Sequence, residues 1–452
     1  MLTPAISKGT VQNHVEAVRG LLRSPELSGL VASAAQQIQG QGDDQAKVAA
    51  ALPDVDGAAV SSGGTRPNVP FMSRDPLVSL IQSSIEESLL ARGATPPDSP
   101  HSLWRWIAHL ADRYLNLHIG RFQPQDPGWY IEIAKSSLEH LARGNHPFNP
   151  APAEHQVSDT ARIILVGDWG TGLRRARDVA TCMGQEVAQA LAAGREAHVV
   201  HLGDVYYSGL PGEDRRRFLD CWPVTVAQAG SGVTSWSLNG NHDMYSGGFG
   251  YFGTLLGDPR FAAQRSPDGQ PTSFFRLSSP SWDFVGLDTS WNSDVMSRGE
   301  IGVLQDPQAG YVARVAGESP RKLVLLSHHQ LTSAYDKADL GPELGGKLAP
   351  VLSGNRVTGW WWGHEHRAMA YKPYGGVRYP RCLGNGGVPV LVDPPMTPAV
   401  RQVADWDSRR YVWSGLQRWT RFGFAVLDLA GDRLTVRYRD DDGTQTREET
   451  VS

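Results

Sequence analysis

Cysteine is scarce in this sequence. Three residues, Cys182, Cys221 and Cys382, are spread over 452 positions, too few for the disulfide framework that staples small secreted domains. A single Cys182–Cys221 or Cys221–Cys382 bridge is left open. Between Met1 and Leu22 no charged start is followed by an apolar stretch, so no secretory signal is read there. No run reaches the ~20 apolar residues of a membrane span. A cytoplasmic protein is the resulting expectation, with export that needs no cleavable signal left open. Charge excess is also small. A formal net charge of −4 offers no electrostatic case for a nucleic-acid partner or an anionic membrane. No internal repeat is present. What the chain does have is glycine and proline, 49 and 30 residues, which fits many loops, and a length that accommodates two or three domains.

Residues 1–150 read as a helical N-terminal region. Val15, Val18, Leu21 and Leu22 share one helical face. Asp75-Pro76 is a helix start, and Leu77, Ile81, Ile85 and Leu89 repeat every four residues. Leu103, Ile107, Leu110, Tyr114 and Leu117 form another stripe, and a fourth segment, 129–143, stops at Gly144. A Gly-, Ala-, Gln- and Ser-rich stretch, about 35–70, reads as flexible. Asn145 to Gln156, with three prolines, reads as the link into a second domain over 157–452.

In that second domain the pattern changes to short apolar runs of strand length: 162–166, 198–202, 235–238, 282–287, 323–326 and 357–362. Helical stretches at 174–193 and 345–353 alternate with them. Residues 423–429 and 433–439 read as a closing hairpin around Ala430-Gly431-Asp432. The mixture is that of an α/β domain with buried strands and loops at their ends.

Those loops carry the chemistry. Gly-Asp-Trp-Gly at 167–170, Gly-Asp-Val-Tyr-Tyr at 203–207, Gly-Asn-His-Asp at 240–243, Ser-His-His at 327–329 and Gly-His-Glu-His at 363–366 each end or follow an apolar run. They offer carboxylates (Asp168, Asp204), an amide carbonyl (Asn241) and imidazoles (His328, His364, His366), the ligand types that hard and borderline cations take. A carboxylate has two oxygens, so Asp204 can bridge two cations. Taken singly, the Gly-Asp and Gly-Asn-His-Asp motifs are also ordinary turns and His328-His329 also a partly buried pair, while His364-x-His366 is more specific; five strand-end turns that all carry ligand-type residues are hard to produce by chance. His198 and His201, inside a strand, read as core residues. Trp360, Trp361 and Trp362 read as core and pocket wall, with a stacking platform for bases as the weaker reading.

The motif set resembles that of the calcineurin-like metallophosphoesterases, and within them the purple acid phosphatases of the small tartrate-resistant type. The likeness spans roughly 160–440. Two details point to the purple branch. Gly170 stands where most of the superfamily has a histidine ligand, and Tyr207 lies three residues after Asp204, where the purple enzymes carry an iron-binding tyrosinate. The resemblance implies a four-layer fold, two packed sheets flanked by helices, after the helical N-terminal region. It implies that Asp168, Tyr207 and His366 bind a first metal, Asn241, His328 and His364 a second, and that Asp204 bridges. Tyr206 is the next candidate if Tyr207 is not the ligand. His242 would contact the phosphate and assist the leaving group, and Asp243 would orient His242. His329 is left without a ligand position, near the substrate or packed. The implied cofactors are iron(III) in the tyrosinate site and iron(II), zinc or manganese in the other; the long N-terminal region and the missing secretion signal depart from the small acid phosphatases and open the choice to manganese or an iron–manganese pair.

The implied reaction is hydrolysis of a phosphate ester, with a metal-bound hydroxide as nucleophile, and a phosphomonoesterase is favoured. A phosphodiesterase acting on nucleotides or lipid headgroups is the alternative. A third reading, of another class, is a partner-binding protein that engages a protein through residues 1–150. The stretch Asp393–Trp413 is expected on the rim of the pocket.

Overall fold

The computed structural model describes residues 128–293, 302–335, 342–390, 403–413 and 417–452. The chain divides into two units, 1–131 with 410–419 and 132–409 with 420–452. The second holds every candidate site residue. The helices and flexible stretch expected before residue 128, and residues 393–402 of the stretch expected on the pocket rim, lie outside the described residues.

The fourth expected helix is α1, Gly128–Arg143. Gly144 ends it at φ 67°, its N–H donating to the His140 carbonyl, as a left-handed C-terminal glycine does. The proline-rich link that follows is not a free tether. Its last four residues, Ala153–Gln156 (β1), pair in parallel with Phe275–Ser278 (β5), and Asn149 donates to Ser266 Oγ at 2.7 Å. β1 was not legible because it is a polar edge strand with only Ala153 buried.

Two sheets make up the second unit. The smaller has six strands in the order β16-β15-β14-β2-β3-β4. Here β2 is Arg162–Val166, β3 Ala197–His201, β4 Val233–Ser237, β14 Gly423–Ala430, β15 Arg433–Asp440 and β16 Gln445–Val451. β2, β3 and β4 are parallel; the expected hairpin β14–β15 joins antiparallel to β2. The larger has eight strands in the order β1-β5-β6-β7-β8-β10-β9-β11. Of these, β6 is Trp282–Leu287, β7 Lys322–Ser327, β8 Val357–Trp362, β9 Ala368–Tyr371, β10 Val377–Leu383 and β11 Val403–Trp406. β6, β7, β8 and β10 run parallel. A separate ribbon pairs Arg410–Trp413 with Gln417–Thr420.

Alternation along the strands builds two cores. Ile163, Leu165, Val200 and Leu202 from one sheet meet Phe284, Val324, Leu326 and Trp361 from the other. Trp360 and Trp362 point the opposite way, into a second core with Val312 and Val315 of α3 (Asp306–Glu318) and Leu344 and Leu348 of α4 (Pro342–Ser353). Helix α2, Arg174–Ala192, covers the outer face of the smaller sheet with Val179, Met183 and Val187. The layers are therefore helix, sheet, sheet, helix. All three tryptophans are fully buried, which removes the base-stacking reading. The three cysteines are free. Among the described residues no helix is long and apolar enough to cross a membrane.

Candidate metal centre

Parallel strands deliver the motifs at their carboxyl ends, the edge of an open α/β sheet where ligands collect. β2 leads to Asp168, β3 to Asp204, β4 to Asn241, β7 to His328, and β8 to His364 and His366. The backbone turns sharply at these points. Asp168, Asp204, His364 and His366 have φ of 54°, 78°, 70° and 51°. Left-handed backbone is uncommon for residues with a Cβ and clusters at functional sites. Among the described residues only Asn355 is a further non-glycine case.

The donor atoms fall into two groups. In the first, ligand atoms of Asp168, Asp204 and His366 lie within 4.8 Å of one another. The hydroxyl of Tyr206 sits among them, 2.8 Å from Asp204 Oδ2, 3.1 Å from Asp168 Oδ1 and 2.8 Å from His366 Nε2. In the second, His328 Nε2 is 2.9 Å from Asn241 Oδ1, 3.2 Å from His364 Nδ1 and 3.4 Å from Asp204 Oδ1. Asn241 Oδ1 is 3.1 Å from His364 Nδ1. Asp204 thus has one oxygen in each group.

This donor set fits cations. In the first group one phenolic proton faces two carboxylate oxygens and an imidazole nitrogen. In the second, His328 Nδ1 donates to the Leu202 carbonyl at 3.0 Å, which leaves the Nε2 lone pair aimed at His364 Nδ1. Burial and the surrounding imidazoles, His329 first, push His364 well below the usual histidine range, so it stays neutral, the form that can offer a lone pair to a cation. Burial alone would raise the Asp204 carboxyl; the imidazoles of His328 and His242, with the Tyr206 hydroxyl, outweigh it and hold it at about 2. Tyr206 is pushed well above the usual phenol range by burial and by Asp204 and Asp168. A cation amid these groups would reverse that balance.

The surrounding contacts fix the geometry. Asn241 Nδ2 donates to the Tyr245 hydroxyl at 2.8 Å, which turns the amide oxygen toward the histidines. His364 N–H donates to Asp168 Oδ2 at 2.7 Å. The glycines of the motifs permit close approach. A Cβ on Gly240 would lie 1.8 Å from Asp204 Oδ1. Gly240→Ala is therefore expected to displace the shared carboxylate, lowering both metal content and thermal midpoint; an unchanged metal titration would count against the crowding. At Gly170 a Cβ would lie 2.8 Å from the Asp204 carbonyl oxygen and 2.9 Å from Val205 Cα. The histidine found there in most of the superfamily has no room.

The contacts differ from two expectations. The phenol in the first group is that of Tyr206, whereas the Tyr207 ring lies against the Arg217 guanidinium at 4.8 Å and the Tyr207 N–H is bound by Glu213. Neighbouring residues on an extended segment face opposite sides, and counting onward from Asp204, itself in a left-handed turn, does not say which one faces inward. The acceptor for His242 Nδ1 is the Tyr207 carbonyl, at 2.8 Å. The Asp243 carboxylate instead accepts the backbone N–H groups of Asp204, Val205 and Gly240, tying the two motif loops together.

His242 lies between the rings of Tyr206 and Tyr245, at 4.5 and 4.9 Å, with Nε2 3.7 Å from Asp204 Oδ2. Burial lowers its pKa and Asp204 works against that. His329 is buried, hydrogen-bonded through Nδ1 to Thr289 Oγ1 at 3.0 Å. His198 and His201 are core residues as expected, bonded to Thr234 and Ser237.

Two packed sheets between helices, with a carboxylate shared by two donor groups at strand ends, make a metallophosphoesterase architecture. Residues 161–368 match the family described as calcineurin-like phosphoesterase; this part of the chain is a calcineurin-like phosphoesterase domain, and family and donor set together support two metal ions. Similar solved structures include a dimetal phosphatase from Danio rerio, 16% identical with a TM-score of 0.43, covering 65% of this chain and 99% of that one. Another is GAP50, the anchor in the inner membrane complex of Plasmodium, at 11% identity and a TM-score of 0.42, covering 65% and 88%. A cold-active protein tyrosine phosphatase of a Shewanella species is 14% identical with a TM-score of 0.28, covering 68% and 87%. Among curated proteins none matches the sequence significantly.

Proposed function

We propose that this chain is a phosphomonoesterase with a dinuclear site of the purple acid phosphatase kind. The observation that carries the reading is Asp204, with Oδ2 beside Tyr206 and Oδ1 beside His328. Asp168, Tyr206 and His366 would hold the first ion, Asn241, His328 and His364 the second, and Asp204 both. When bound, the ions supply Lewis-acid polarisation of the phosphoryl group and a nucleophile at moderate pH. The chain's own residues do the rest. Tyr206 brings a full negative charge on deprotonation, which favours a trivalent ion such as iron(III) in the first position; iron(II), zinc or manganese suits the second. His242 has Nδ1 engaged by the Tyr207 carbonyl, so Nε2 is the nitrogen that donates to the departing oxygen. His242 and His366 keep 13% and 24% side-chain exposure, which leaves the cluster open to substrate.

The test is hydrolysis of p-nitrophenyl phosphate against bis-p-nitrophenyl phosphate, with metal analysis of protein purified without added metal. Faster monoester turnover is expected. Faster diester turnover makes the chain a phosphodiesterase, and inertness of metal-replete protein toward both removes the hydrolase reading. Tyr206→Phe is expected to abolish the visible tyrosinate–iron band and to weaken first-site binding, while Tyr207→Phe retains both. The opposite pattern returns the ligand role to Tyr207.

A further inference from the structure

The loop from Tyr206 to Leu210 carries two functional groups: the Tyr206 hydroxyl in the first donor group and the Tyr207 carbonyl that holds His242. Such a loop needs its backbone donors and acceptors satisfied once buried. Here three of its N–H groups and one carbonyl converge on a single ion pair. Glu213 Oε1 accepts the Tyr207 N–H. Its Oε2 accepts the N–H groups of Ser208 at 3.0 Å and Leu210 at 3.1 Å. Arg217, one helical turn on, donates to Glu213 Oε1 at 2.8 Å and to the Tyr206 carbonyl at 2.6 Å. The guanidinium also covers the Tyr207 ring at 4.8 Å. The two side chains are 2% and 8% exposed, so water does not compete for these bonds.

We propose that Glu213 and Arg217 are positioning residues for the metal centre: the pair sets the angle at which the Tyr206 phenol meets the first ion and the carbonyl that fixes the His242 ring. The inference rests on the dinuclear reading above. Its chemistry is geometric. The carboxylate is an acceptor in four directions, and Arg217 Nη1 serves a carboxylate and a carbonyl at once while the flat guanidinium lies over the Tyr207 ring. Glutamine at 213 keeps the shape but turns one acceptor oxygen into a donor, which opposes the N–H groups it faces. Lysine at 217 keeps the charge but loses the flat group that lies over the Tyr207 ring. Hydrogen bonds that orient metal ligands from outside the donor set typically matter by 10–100-fold in metal affinity or activity.

The experiment compares full-length wild type, Glu213→Gln and Arg217→Lys by competitive metal titration, by the visible spectrum after iron(III) loading, and by kcat and KM on p-nitrophenyl phosphate. Both variants are expected to lose about tenfold to a hundredfold in first-site affinity. Second-site affinity should hold, the tyrosinate band should shift, and kcat should fall more than KM changes. Arg162→Lys serves as the control for bracing alone. Arg162 is buried and paired with Glu186 and Asp428 at the far end of β2 from Asp168, so it should lower the thermal midpoint without altering metal affinity. Glu213→Gln and Arg217→Lys variants that behave like this control, less stable but with wild-type affinity, band and kcat, overturn the proposal. Should Glu213→Gln fail to fold, Arg217→Lys decides alone. A wild type that binds metal while the variants match it overturns only the positioning role; a wild type that binds none overturns the dinuclear reading and this inference with it.

Discussion

Asp204→Asn is expected to empty both metal positions and to reduce phosphoesterase turnover by about 10²–10³-fold, the scale on which removing a principal electrostatic group from a site acts. Among the described residues Asp204 is the side chain with an atom in each donor group. It is buried and accepts the His242 backbone N–H at 3.0 Å. An asparagine in its place keeps one acceptor oxygen and turns the other into a donor. That donor would face either Tyr206 or His328. Loss at both positions in a metal analysis separates a shared ligand from a private one. Retention of either ion at wild-type stoichiometry would sink the bridging role.

His242→Ala is expected to do the reverse: metal content intact, turnover lower by about 10²–10⁴-fold, the usual scale of general acid catalysis. The imidazole lies 3.7 Å from Asp204 Oδ2 and is oriented by a backbone carbonyl, so its removal vacates no donor position in either group. The deficit should shrink for substrates whose leaving group needs no proton, such as p-nitrophenol, and widen for alkyl phosphates. A uniform deficit across leaving groups would assign His242 to phosphate binding instead.

The carboxylate, amide and imidazole donors of the candidate centre were legible in the sequence because each follows an apolar run of strand length. β2, β3, β7 and β8 are nearly continuous apolar stretches, buried on both faces, and the turn after each is short. The rest was harder for physical reasons. β1, β5, β9 and β11 have four residues apiece, too few for a period to register. Helix α3 was missed although Asp306-Pro307 at its start repeats the Asp-Pro signature read at 75–76. The choice between Tyr206 and Tyr207 turns on which adjacent side chain faces inward, and no spacing encodes that. Asp243 was assigned to its neighbour His242, while its oxygens serve three N–H groups, two of them 38 and 39 residues away. Glu213 and Arg217 belong to no motif at all. Their partners are mainly backbone atoms, which look alike in every sequence.

Asp168, Asp204 and Asn241 hang from the smaller sheet, His328, His364 and His366 from the larger. Any ion pair chelated by both sets stitches the two halves of the sandwich across their seam. Chelation and unfolding are then one linked equilibrium: free metal at 100 times its Kd adds about 2.7 kcal/mol per site to the folded state. Stripping the ions should loosen that seam first, so that amide protons of β2, β3, β7 and β8 exchange sooner than those of the distant β15–β16 edge.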